Sequence, residues 1–113
     1  MELPESAHWH PLTAAKMYRQ LAEEATGRYH DAFEQYGRLR DQYRAKELAS
    51  DQLTERLRTS AAIDYTWGQT DTAKACVSDL NTYSVAAQTY AAMASAKTLE
   101  YLARRELGRE NNG

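Results

Sequence analysis

The sequence predicts an all-α protein: an elongated antiparallel bundle of three helices, long–short–long, with coiled-coil-like packing. Two prolines and five glycines in 113 residues leave little to interrupt helices. Two apolar stripes also advance in alternating steps of four and three residues, which is the 3.5-residue period of a coiled-coil seam. The first seam comprises Tyr18, Ala22, Ala25, Tyr29, Ala32, Tyr36, Leu39 and Tyr43. The second seam comprises Cys76, Leu80, Tyr83, Ala87, Tyr90, Ala94, Lys97 and Tyr101, with Lys97 as its one lapse.

The points at which this period is lost predict the element boundaries. Residues 1–11 form an irregular arm, in which Pro11 suits a first helical turn. A helix is expected from Leu12 to Glu47, and a second, capped by Ser50 or Asp51, from there to Trp67.

Glycine and cap-type residues predict the remaining boundaries. Gly68 is predicted to break the chain in a left-handed conformation. The third helix is expected from Asp71 to Leu107, and Gly108 is predicted to end it. The sequence therefore predicts one bundle domain over residues 12–108, followed by a frayed tail over residues 109–113.

The charge balance bears on the class of partner. Fourteen basic and sixteen acidic residues leave no basic excess to neutralise phosphates, so nucleic-acid binding is not expected. No apolar run is long enough to span a membrane, and the acidic N-terminus lacks a signal-peptide core. We therefore expect a cytoplasmic protein or a part of a larger assembly. Ten arginines against four lysines suggest a GC-rich bacterial or phage genome.

Charge is also unevenly distributed along the chain, which predicts an interface. Seventeen of the residues 13–58 are charged, against five of the residues 59–99. The last helix carries a further stripe of small residues, namely Ala73, Val77, Leu80, Ser84, Ala87, Ala91, Ala94 and Thr98. A helix with two uncharged faces is expected to lie between two neighbours, so we predict a homo-oligomer or a helical protein partner. The predicted interface residues are Trp9, Trp67, Tyr83, Ala87, Tyr90, Ala91, Ala94 and Tyr101.

An enzymatic or metal-binding bundle is the alternative from another class. His8 and His10 flank Trp9, but a third ligand is needed and His30 lies a helix away. A di-iron bundle requires Glu three residues before His, and Gly27 occupies that position before His30. The tyrosine spacing is explained by packing, and no nucleophile motif or phosphate-binding loop occurs. We predict no catalytic residue, no metal ligand and no cofactor.

The adjacent pair Trp67-Gly68, placed at a helix–helix turn in a small helical chain, resembles the WXG100 family of exported helical hairpins. That family has Trp-x-Gly at a turn near its middle. Its C-terminal export signature is Tyr followed four residues later by an acid, whereas Tyr101 is followed by Arg105. The resemblance implies a second possible function, a hairpin exported together with a helical partner.

Overall fold

The computed structural model describes residues 10–50 and 59–112, the side chains of residues 110–112 excepted. Three α-helices make up this part of the chain: α1 (Pro11–Leu48), α2 (Ser60–Gln69) and α3 (Asp71–Asn112). The described residues contain no strand. The predicted all-α class and the long–short–long order of helices are confirmed. No helix within the described ranges is both long enough and apolar enough to cross a membrane.

Helix α1 begins and ends close to the predicted positions. Pro11 occupies the first helical position, where its missing N–H would have had no intrahelical acceptor. The Nδ1 atom of His10 accepts a hydrogen bond from the backbone N–H of Leu12 at 3.2 Å, which satisfies one of the free donors of the first turn. The helix ends at Leu48, so the predicted break near Ser50 is confirmed.

Helix α2 is shorter than predicted because Thr59 caps it. The backbone of Thr59 is extended, and its side chain accepts a hydrogen bond from the N–H of Ala62 at 3.2 Å. A single helix from Ser50 or Asp51 to Trp67 is therefore wrong, since α2 starts only at Ser60. Residues 51–58, over which that helix was predicted to begin, lie outside the described residues.

The break between α2 and α3 lies where predicted, but Thr70 rather than Gly68 makes it. Gly68 is inside α2, and no described glycine has a positive φ, so the predicted left-handed terminator is wrong. The Thr70 hydroxyl donates to the carbonyl oxygen of Trp67 at 2.7 Å and accepts from the N–H of Ala73 at 3.2 Å. One side chain thus satisfies groups at the end of α2 and at the start of α3.

Helix α3 continues beyond its predicted end. It runs through Gly108 to Asn112, so the prediction that Gly108 ends the helix is wrong. Residues 109–112 of the predicted tail are helical. Glycine costs a helix about 1 kcal/mol relative to alanine, which did not stop this helix. Of the predicted arm, residues 1–9 lie outside the described part of the chain.

The chain divides into two compact units, and the first combines the segments Met1–Thr26 and Ser84–Gly113. Its core contains Ala14 and Tyr18 of α1 together with Tyr90 and Ala94 of α3. The Tyr18 and Tyr90 rings stack with their centroids 6.4 Å apart. The ring centroids of His10 and Tyr101 are 5.8 Å apart. Later residues of the first segment contact earlier residues of the second, so these two helical segments run antiparallel.

The second unit, Gly27–Tyr83, is organised around Trp67 of α2. Tyr36 and Tyr43 of α1 lie with their ring centroids 5.7 and 5.5 Å from that of Trp67. Asp64 of α2 accepts two hydrogen bonds from the Arg44 guanidinium, at 2.7 and 2.8 Å. This two-point contact fixes the rotation of α2 against α1.

Burial confirms that both predicted seams are packed. Every residue of the first seam and of the second seam is buried or half-buried. The tyrosine side chains of these seams therefore contribute to packing within the chain, as a 3.5-residue period implies.

Candidate interaction surface

The predicted interface residues occupy three different environments. Tyr90 and Ala94 are buried in the core of the first unit, and Trp67 is buried in the second. Ala91 is exposed, and Trp9 lies outside the described residues. The half-buried members are Tyr83, Ala87 and Tyr101. Most of these residues thus lie on the side of α3 that faces α1, and Ala91 marks the edge of its free side.

A different set of α3 residues forms an exposed, uncharged stripe in the first unit, which we call the outer face. It consists of Val85, Gln88, Ala92, Ser95, Leu99 and Leu102, in alternating steps of three and four residues, and all six are exposed. The exposed fractions are 62% for Val85, 66% for Leu99 and 46% for Leu102. The outer face therefore has the period of a coiled-coil seam without a packed neighbour among the described residues.

Residues that flank the outer face extend its uncharged area. Thr89, Ala96 and Ala103 follow its members on one side, and Ala91 lies on the other; all four are exposed. A helix in contact with water normally carries charged side chains opposite its core stripe. The uncharged outer face of α3 is typical of a contact surface instead.

Lys97 and Glu100, the two charged residues between positions 85 and 102, are turned away from the outer face. Both are half-buried, and the Nζ atom of Lys97 lies 3.1 Å from Oε2 of Glu100. Arg104 contacts the other carboxylate oxygen at 2.6 Å. The hydrogen bond from Lys97, helped by the charges of Lys97 and Arg104, lowers the pKa of Glu100 from its ordinary value. The lapse of the second seam at Lys97 is thus a neutralised charge rather than a gap in packing.

Sequence reasoning missed the outer face because α3 carries several overlapping stripes. The small-residue stripe predicted as a second contact face is mixed: Ala73 and Ala94 are buried, whereas Val77 and Ala91 are exposed. Val85, Ala92 and Leu99 recur at seven-residue intervals, as do Gln88, Ser95 and Leu102. This signal was present in the sequence, but only burial shows which repeat is free.

The second unit exposes apolar side chains at separate positions. Tyr65, Phe33 and Val77 are exposed, on α2, α1 and α3 respectively. The Phe33 ring stacks on Tyr29 with centroids 6.4 Å apart. Scattered exposed apolar residues are ordinary on protein surfaces and define no site by themselves.

The polar features of the second unit are an ion pair and an open cleft. The hydrogen bonds from Arg44 lower the pKa of Asp64, and the same contact raises the pKa of Arg44. An open cleft of about 290 Å³ is lined by Arg28, Asp31, Ala32, Gln35, Asp79 and Tyr83. No three His, Cys, Asp or Glu side chains of residues 10–50 and 59–109 are grouped so that they could hold a metal ion.

The comparison with known proteins finds no relative of this chain. The chain matches no model of a protein family, no curated protein sequence and no solved structure. The outer face of α3 is therefore assigned from its own geometry and chemistry.

Proposed function

We propose that this chain is a non-enzymatic helical interaction protein that self-associates or acts as a structural or adaptor subunit of a larger phage or bacterial assembly. The observation that carries the proposal is the outer face: six exposed residues at coiled-coil spacing, without a charge, on a helix whose opposite side is already packed. When another apolar helix covers such a surface, apolar area is removed from water, and this removal favours association.

The size of the exposed apolar side chains sets how much free energy of association is obtained when a partner covers them. Fully burying a Val or Leu side chain contributes about 1.5–3 kcal/mol. Covering the exposed fractions of Val85, Leu99 and Leu102 then contributes roughly 3–5 kcal/mol per helix by the same measure. Since association costs about 4–15 kcal/mol in lost freedom, the outer face alone is insufficient for tight binding. The partner must bring an apolar face of comparable size.

The charge balance supports a protein partner over a nucleic acid. The formal net charge is −2, and the outer face offers no cation to a phosphate. As part of the same proposal, we place this association in the cytoplasm or within an assembly.

A charge placed in the middle of the outer face tests the proposal. Ala92→Glu puts a carboxylate where a partner helix would exclude water, which costs several-fold to many-fold in affinity if the charge is unpaired. Ala45→Glu is the matched control, because Ala45 is an exposed alanine inside α1 and belongs to the second unit, whereas the outer face belongs to the first. Both variants should retain the helical circular dichroism spectrum.

The measurement is native mass, in an extract of cells that make the protein and after purification. We expect wild type and Ala45→Glu to run well above the 12.8 kDa monomer and Ala92→Glu to run as a smaller species. A wild-type protein that stays monomeric in the extract and at the highest purified concentration would contradict the proposal. So would an Ala92→Glu variant of unchanged mass.

A further inference from the structure

We propose that the outer face is covered by the outer face of a second copy, with the two α3 helices antiparallel and Ala92 of each copy opposite Ser95 of the other. This inference rests on the proposed function and specifies its partner. It follows from three properties of the outer face: its size pattern, the charges at its end and its need for an equally apolar partner.

The size pattern is self-complementary when one copy is reversed. Small residues lie at the centre of the outer face, at Ala92 and Ser95, and the larger side chains lie towards both ends. Successive members of a coiled-coil seam occupy two kinds of position in turn. In an antiparallel pair, each kind on one helix faces the other kind on its partner. The resulting facing pairs are Val85 with Leu102, Gln88 with Leu99, and Ala92 with Ser95, each occurring twice. The central small residues then allow close approach of the backbones, while Leu99 and Leu102 fill the wider space at the ends.

The charges beyond the outer face distinguish antiparallel from parallel pairing. Glu106 follows Leu99 by seven residues and Arg109 follows Leu102 by seven, and both are exposed. The side chains of these two residues lie 3.6 Å apart within one helix. A parallel pair would set each of them against its own copy, which is unfavourable for like charges, although the ion pair within each helix offsets part of that cost. Reversing one helix moves the two copies of Glu106, and those of Arg109, to opposite ends of the contact.

The need for an equally apolar partner is met by a second copy without any further assumption. The first unit provides Val85, Leu99 and Leu102 as exposed apolar side chains, and two copies provide this set twice. A contact between identical surfaces about a two-fold axis is closed, so the assembly through this face stops at a dimer. The net charge of −2 per copy leaves little overall repulsion.

Disulfide cross-linking between copies tests both the partner and its direction. Val85→Cys and Leu102→Cys are introduced singly into a Cys76→Ser background, which removes the one native thiol. Positions 85 and 102 are exposed, so the core of the first unit is undisturbed. A disulfide requires Cα atoms within about 7 Å. In the antiparallel pair the two copies of residue 85 are about 25 Å apart, at 1.5 Å per residue, whereas 85 of one copy faces 102 of the other.

We expect cross-linked dimer when the two variants are mixed, equilibrated and oxidised, and at most the level of an Ala45→Cys control from either variant alone. Cross-linking of each variant with itself would overturn the antiparallel arrangement. A Cys76→Ser parent that is monomeric by light scattering at every concentration would overturn the second copy as partner. In that case, a large native mass in cell extract that Ala92→Glu reduces would support the proposed function, with a helix of another protein as the partner. A protein that is monomeric in the extract as well would contradict both the proposed function and the second copy as partner.

Discussion

Truncation of Tyr90 measures how much the packing of α1 on α3 contributes to the stability of the first unit. Tyr90 is 3% exposed and lies in the core with Ala14, Tyr18 and Ala94. An aromatic side chain buries about 150–250 Å², which at about 25 cal/mol per Å² is roughly 4–6 kcal/mol. An extended unfolded reference overstates this by about 10–40%. Tyr90→Ala should therefore lower the free energy of unfolding by about 3–5 kcal/mol, the range found for aromatic-to-alanine changes in cores.

Leu99→Ala on the same helix is the matched comparison. Leu99 is 66% exposed, so only a third of its side chain is removed from water within the chain. A third of the roughly 1.5–3 kcal/mol for a fully buried leucine is about 0.5–1 kcal/mol. Leu99→Ala should therefore cost several-fold less than Tyr90→Ala when both are measured on monomer.

The assay is urea denaturation followed by circular dichroism, at a dilution where light scattering shows a monomer. The slope of the unfolding free energy against urea concentration should be the same in both variants. The shift in the unfolding midpoint then reports the change in stability. Equal losses in the two variants would refute the reasoning, because they would mean that the second seam and the outer face are equally buried within one chain.

Two further predictions concern helix composition and pH. Gly27→Ala and Gly37→Ala should each raise the free energy of unfolding by about 1 kcal/mol, because both lie inside α1 and an added Cβ would meet no atom within 4 Å. Thermal melts should show increases of about 4–8 °C each, and a fall in either variant would show that the glycine itself is required. Because Arg44 depresses the pKa of Asp64 below its ordinary 3.8, the ion pair stabilises the fold above that pH and its contribution is lost as pH falls through the lower folded value. The stability difference between wild type and Asp64→Asn, from urea titrations at a series of pH values, should therefore be present at neutral pH and shrink below 3.8; a difference constant across that range would contradict the assignment.

Local chemistry explains which boundaries could be predicted from the chain. Pro11 marks the start of α1, and loss of the seam period marks its end near Ser50. The second break was predicted from Gly68 as the terminator with cap-type residues after it, and Thr70 is one of those residues. A threonine that bonds to both helices performs the same task without a positive φ. Gly108 shows the converse, since a single glycine at about 1 kcal/mol does not end a helix whose neighbouring residues continue it.

The candidate interface could be predicted only in outline. The shortage of charge over residues 59–99 singled out the last helix, whose exposed residues between positions 85 and 102 are all uncharged. The residues chosen for that side were mainly Tyr90, Ala94 and their neighbours on the second seam, which lie against α1. Val85 and Leu99 went unnoticed, because an apolar residue on a helix looks the same in sequence whether it is buried or free.

The sequence by itself determined that the chain is helical, where its long helices lie and which residues share a face, since these follow from spacing, caps and backbone preference along one segment. Only the tertiary structure decided which face of α3 is packed against α1 and which is left exposed. The physical reason is that a helix of 42 residues presents several faces with a 3.5-residue period. The free energy that selects among them comes from contacts with a segment distant in the chain, as the Tyr18–Tyr90 stacking shows, and a local repeat does not encode that choice.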